Sequence, residues 1–149
     1  MNALAEGGKI VSGMAQTFFR NKNQVDEPNW LESDWKQPLK RLFWINQVPE
    51  FGYRGGHRHP SCQMMLQCVI GSVHVYVQTP FEDHFYYLST PHHYLLLAPQ
   101  DWRFMYRFSP DAILLVMAEE PFDRTHYIDE PYRPVNLNRL VPISRSEAK

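Results

Sequence analysis

Met64-Met65-Leu66-Gln67-Cys68-Val69-Ile70-Gly71-Ser72-Val73-His74-Val75-Tyr76-Val77-Gln78 is the stretch that decides the fold. Two runs of strand length flank a Gly-Ser turn, and the second alternates with a period of two. Val73, Val75 and Val77 share one face of that strand, and His74 and Tyr76 share the other. In the first run Met64, Leu66 and Cys68 oppose Met65, Gln67 and Val69, so both faces are largely apolar. That pattern predicts one face packed between sheets and the other lining a cavity.

Outward from this pair, further strands are expected at Arg41–Asn46, His84–Ser89, Tyr94–Ala98, Arg103–Phe108 and Ala112–Glu119, with the opening pair spanning Gln63–Ile70 and Ser72–Gln78. Turn chemistry separates several of them, at Gly55-Gly56, Thr79-Pro80, Thr90-Pro91, Pro99-Gln100-Asp101 and Ser109-Pro110-Asp111. Leu95-Leu96-Leu97 and Ile113-Leu114-Leu115-Val116 are apolar throughout, which marks central strands. Short strands at this spacing, with no helices between them, predict an all-β antiparallel sandwich or barrel. A 14% aromatic content and 12 prolines suit that class better than a helical bundle.

The ends read differently. Residues 1–35 look like an irregular extension with a short helix around Ile10 to Phe19, residues 36–132 form the β-domain, and residues 133–149 make an extended or frayed tail. At 149 residues one domain has enough chain to bury a core. A net charge of −1 gives no field that would gather nucleic acid or an anionic membrane. No basic n-region with an apolar core opens the chain, and no stretch reaches membrane-helix length, so a cytoplasmic location is expected. Cys62 and Cys68 lie six positions apart on one face, too far to bridge if they share a strand.

Arg54-Gly55-Gly56-His57-Arg58-His59 carries the chemistry. Histidines at i and i+2 of an extended segment face the same way, and imidazole changes charge near neutral pH. The pair therefore suits either proton transfer or metal ligation, with a purely structural role as the plain alternative. A small β-barrel with His-x-His at a strand start resembles a cupin. A metal-binding cupin would add a Glu four or five residues after the second His and a late His near the Pro turn. Here those places hold Gln63 or Met64, and the turn Pro99-Gln100-Asp101-Trp102 leads into Arg103 and Phe104. Two imidazoles without a third ligand make a poor divalent site, so no metal is expected.

The order Lys40-Arg41, Arg54-Gly55-x-His57-x-His59, Cys68-x-x-Gly71-Ser72, Pro99-x-x-Trp102, Phe108-Ser109-x-Asp111 and Phe122-Asp123-x-Thr125-x-Tyr127-Ile128 resembles the nucleotide-sugar 3,4-ketoisomerases. These are metal-independent cupins acting on dTDP-4-keto-6-deoxyglucose. The resemblance runs from about Lys40 to Tyr132. It implies a jelly-roll barrel and a homodimer, in which residues 1–35 are either an edge strand exchanged between subunits, as in family dimers, or a disordered leader. It also implies a dTDP-linked sugar as substrate, no cofactor, and a place in deoxyamino-sugar biosynthesis between a dehydratase and an aminotransferase. His57 and His59 take the positions of the catalytic pair, one as base at C3 and the other relaying protons at the sugar oxygens. Arg54 and Arg103 are expected on the substrate's oxygens or phosphates, with Trp102 packed under the sugar or base.

Departures from the family pattern fall at substrate-handling positions. Relatives place tyrosines in the aromatic strand, one of which assists proton transfer; this chain has Phe43 and Trp44. A family glutamine five residues after the second His is Met64 here, with Gln63 beside it. Tyr53 and Tyr106 are the neighbouring hydroxyls that stand as replacements. The other readings are a catalytically altered relative that binds a nucleotide sugar or another keto sugar, and a metal-dependent cupin.

Overall fold

The computed structural model describes residues 9–12, 15–19 and 38–141. Its strands are β1 (Lys9–Ser12), β2 (Ala15–Phe19), β3 (Arg41–Asn46), β4 (Tyr53–His57), β5 (Met64–Ile70), β6 (Val73–Gln78), β7 (Asp83–Leu88), β8 (His93–Leu97), β9 (Trp102–Tyr106) and β10 (Ile113–Ala118). A 3-10 turn at Arg124–His126 and a short helix, α1 (Leu137–Leu140), follow. The strands form a six-stranded sheet, β1-β2-β8-β5-β10-β3, and a four-stranded sheet, β4-β9-β6-β7, with every pairing antiparallel.

Facing residues of the two sheets interdigitate as one core. Met64, Leu66 and Cys68 of β5 and Leu114 and Val116 of β10 meet Val73, Val75 and Val77 of β6 and Met105 of β9. Strands β5, β8 and β10 lie inside the six-stranded sheet, as their unbroken apolar runs require. The second apolar face of β5 packs into a cluster of its own. Met65 is buried on the outer side of the sheet with Tyr94, Leu96 and Met117. Both cysteines are buried and unbridged.

Three expectations change. The helix expected around Ile10–Phe19 is the hairpin β1–β2, with Ser12 opposite Ala15, and β2 continues onto β8. Ile, Val, Thr and two Phe in that stretch favour extended backbone over helix. An irregular N-terminal arm thus supplies two strands. The tail is ordered at least to Val141. Tyr132, Val135, Leu140 and Val141 cover Tyr76, Trp102, Phe104 and Tyr106 on the outer face of the small sheet. Arg133 fastens it, donating to Asp83 at 2.9 Å and to the carbonyls of Thr79, Pro80 and Glu82, while its own backbone N–H and C=O pair with the Gln78 amide. Sparse apolar periodicity hid this because each anchor is a single residue reaching a different partner.

Candidate active site

Strand β4 is the element the glycines concealed. It forms an edge of the small sheet, paired to β9 with Tyr53 opposite Tyr106, Arg54 opposite Met105, Gly55 opposite Phe104 and His57 opposite Arg103. Register slips between Gly55 and His57, which makes a β-bulge at Gly55-Gly56, both with positive φ (88° and 77°). In a regular strand Arg54 and His57, three apart, would face opposite ways. The extra residue turns His57 to the Arg103 side, the inner face, where Met105 also points. Just beyond β4, Arg58 exchanges two backbone hydrogen bonds with Ile128, at 2.9 and 3.0 Å. That bridge lays the chain after β10 across the end of β4.

The histidines meet at this junction. Their ring centroids stand 5.0 Å apart, edge to face. Tyr127 stacks on His57 at 4.2 Å and 14° and meets His59 edge-on at 4.5 Å. Its hydroxyl accepts a hydrogen bond from Arg41 Nη1 at 3.2 Å, and the Arg124 guanidinium lies 4.9 Å from its ring centre. Arg41 begins β3 on the face that carries Phe43 and Ile45 to the core. His59 is only 5% exposed, and its Nε2 meets no hydrogen-bond partner among the described residues. Its carbonyl accepts from the Gln100 N–H at 2.7 Å, so the turn before β9 holds it from behind.

Arg103 supplies a buried cation. Its Nη1 donates to the carbonyls of His57 and Asp101, both at 3.3 Å, and Nη2 touches the Met64 sulfur. Burial lowers its pKa to about 10, so it stays protonated at neutral pH. Burial, and next the Arg103 charge, lower the His57 pKa to about 4 and the His59 pKa to about 3. Both imidazoles are therefore neutral at pH 7, in the form that accepts a proton. Asp101 is fully buried; one oxygen accepts the Ala98 N–H at 3.0 Å, the other has no partner among the described residues, and burial raises the carboxyl to about 7.

The expected site residues divide by face. His57, His59 and Arg103 come together, and Arg54 shares the inner face of β4 but reaches solvent, donating to the Tyr53 carbonyl at 2.8 Å. Trp102 and Tyr106 alternate with Arg103 and Met105, so they point to the opposite face, into the cluster under the tail. Tyr53 lies on that outer side too, its ring 4.8 Å from Phe104. Trp102 Nε1 donates to the Asp129 carbonyl at 3.0 Å, which places it as an anchor of the segment bearing Tyr127. Gln63 has the parity of Met65, away from the core, whereas Met64 faces Arg103. Arg41, Tyr127 and Asp101 join the site, although the sequence reading placed Arg41 and Tyr127 only in the family pattern and Asp101 only in a turn. For Arg41, the alternation through Phe43 and Ile45 was a usable signal. Among the described residues no group of three or more His, Cys, Asp or Glu side chains is placed to hold a metal.

Two antiparallel sheets enclosing a core, with a histidine pair at one end of the space between them, define a cupin jelly roll. The solved structure of the TDP-fucose-3,4-ketoisomerase WlaRA from Campylobacter jejuni shares this fold, with a TM-score of 0.62 over 87% of this chain and 90% of that one, at 24% identity. Within the class, the chain belongs to the family described as FdtA: WxcM-like, C-terminal, which matches residues 21–137. The sugar 3,4-ketoisomerase QdtA of Thermoanaerobacterium thermosaccharolyticum, solved in complex with TDP, is 28% identical, with a TM-score of 0.61 over 87% of this chain and 90% of that chain. A curated relative, the TDP-4-oxo-6-deoxy-alpha-D-glucose-3,4-oxoisomerase of Aneurinibacillus thermoaerophilus, is 30% identical over 90 residues, 60% of this chain. The match spans 65% of that relative's length.

Proposed function

We propose that this chain is a sugar-nucleotide 3,4-ketoisomerase, converting a dTDP-4-keto-6-deoxyhexose to its 3-keto isomer through an enediol or enediolate. The observation that carries the reading is the neutral His57/His59 pair, held in a largely buried junction beside the Arg103 cation. Removing a proton from carbon next to a carbonyl needs a base in its free form, and burial with a nearby cation keeps both imidazoles in that form. An anionic sugar nucleotide would raise their pKa values on arrival, bringing the base nearer the strength the step requires. Arg103 is positioned to oppose charge developing on the enediolate. Arg54, on the same face and open to solvent, is assigned to the diphosphate.

The reading is of metal-independent chemistry; among the described residues no group of three or more His, Cys, Asp or Glu side chains is placed to hold a metal. Exposed Leu42 (55%) and Trp44 (64%), on the outer side of edge strand β3, support a homodimer contact. Nucleotide sugars carry charge that keeps them in the compartment where they are made, which supports a cytoplasmic setting. Incubation with dTDP-4-keto-6-deoxyglucose in D2O tests the proposal. The expected result is the 3-keto product with deuterium on the ring; neither product nor ring deuterium would overturn the reading for this substrate.

A further inference from the structure

Ketone transposition moves a proton between two oxygens as well as between two carbons, and the second transfer needs its own hydroxyl. Strand β3 offers none towards the core: Arg41, Phe43 and Ile45 share its inner face. Tyr53 and Tyr106 lie on the outer face of the small sheet. We infer that the Tyr127 hydroxyl is the acid–base group at the sugar oxygens, a catalytic residue delivered by the segment after β10. This inference rests on the ketoisomerase reading.

Three observations support it. Tyr127 touches both imidazoles, at 4.2 and 4.5 Å between ring centres. Arg41 donates to the phenol oxygen at 3.2 Å, which occupies one lone pair, leaves the O–H for a ligand, and stabilises negative charge when that proton departs. His59 Nε2, beside the same ring, is buried and unpartnered among the described residues, a polar atom that a sugar oxygen would satisfy. The position of Tyr127 is fixed by the two residues that follow it, Ile128 through the bridge to Arg58 and Asp129 through the hydrogen bond from Trp102.

The step balances without an added reagent. A histidine takes the C3 proton; the C3–H pair becomes the C3=C4 bond, and the carbonyl π pair moves to O4. The Tyr127 O–H bond breaks as its proton passes to O4, giving the enediol and a phenolate beside Arg41. The phenolate then takes the O3 proton, the O3–H pair forms the C3 carbonyl, and the C3=C4 pair takes the imidazolium proton at C4. Phenol and imidazole are both restored.

The test compares wild type, Tyr127→Phe, Arg41→Gln and Tyr86→Phe with dTDP-4-keto-6-deoxyglucose in D2O, reading product formation and deuterium at C3 of recovered substrate. Tyr86 is the control because it also packs against the core between the sheets. Tyr127→Phe should lower kcat by about 10²–10⁴ with KM within about threefold. C3 exchange should outlast product formation, raising the ratio of exchange to turnover at least about tenfold. Arg41→Gln should move the same ratio in the same direction but less, as a positioning residue would. Equal loss of exchange and turnover in Tyr127→Phe would mean that it merely places His57, and would overturn the inference. So would normal turnover in Tyr127→Phe, or the full effect appearing in Tyr86→Phe instead; an active wild type would leave the ketoisomerase reading standing in each case. An inactive wild type, showing neither product nor exchange, would overturn both.

Discussion

Gly55 and Gly56 pose a paired experiment, because both have positive φ but only one has a crowded Cβ position. A Cβ at Gly55 would lie 2.8 Å from the Arg103 carbonyl oxygen and 3.0 Å from Met105 Cε, while one at Gly56 would meet nothing within 4 Å. Alanine in the left-handed region costs about 1–2 kcal/mol at either site. Only at Gly55 is there a steric cost of about 1–3 kcal/mol more, since the methionine tip can yield but the carbonyl belongs to the β9 backbone. Gly55→Ala should therefore lose about 2–5 kcal/mol and Gly56→Ala about 1–2 kcal/mol. Urea unfolding of the two variants beside wild type measures both, the comparison being valid where the m-values agree. Equal losses, or a larger loss at Gly56, would refute the claim that the bulge is held by close approach of β4 to β9. Because the bulge aims His57, Gly55→Ala should also lose turnover in the protein that remains folded.

Other outcomes follow from the same geometry. His57→Asn and His59→Asn should each cut turnover by about 10²–10⁴ with dTDP-4-keto-6-deoxyglucose, and unchanged rates in both would return the pair to a structural role. Stability should fall on acidification below pH 6.5, because the unfolded chain takes up protons that folded His57 and His59, at about 4 and 3, refuse. Asp101 acts in the opposite sense between 3.8 and about 7, since its folded carboxyl keeps its proton to higher pH, so its contribution is greatest in acid. Two protons against one leave a net acid loss of at most about 1.4 kcal/mol per pH unit, less for the partial exposure of His57. Thermal melts across that range should show the slope, and Asp101→Asn should steepen it. Arg133→Met should free the tail from the β6–β7 turn, losing about 1–3 kcal/mol in urea titrations and exposing Trp102 to fluorescence quenchers. EDTA treatment followed by metal-free assay should leave turnover unchanged; loss restored by one divalent ion would revive the metal-dependent reading.

Alternation is a local property, so much of the framework was legible from residues 64–78 and the strands that resemble them. Val73, Val75 and Val77 had to share the buried face of β6, and the unbroken runs of β8 and β10 had to be interior. The stretch at 9–19 was misread because short, ungrouped β-branched and aromatic residues satisfy a helical count as easily as a strand. Strand β4 was harder to see because its glycines carry no periodicity, although the family resemblance had already singled out the His57/His59 pair.

What the chain order alone determined, then, is an all-β sandwich with paired histidines at the end of a glycine-rich segment. The company those histidines keep was decided by tertiary structure. A bulge that shifts register by one residue reverses a face, and whether it forms depends on the backbone of β9 lying against Gly55. Arg41 and Tyr127 are 86 residues apart, and only the Arg58–Ile128 bridge, the Trp102 anchor and the closing of one sheet over the other bring guanidinium, phenol and imidazoles together. The same packing sends Trp102, Tyr53 and Tyr106 to the far side of the small sheet. Strand parity fixes that separation, but which parity faces the core is set by burial across both sheets at once.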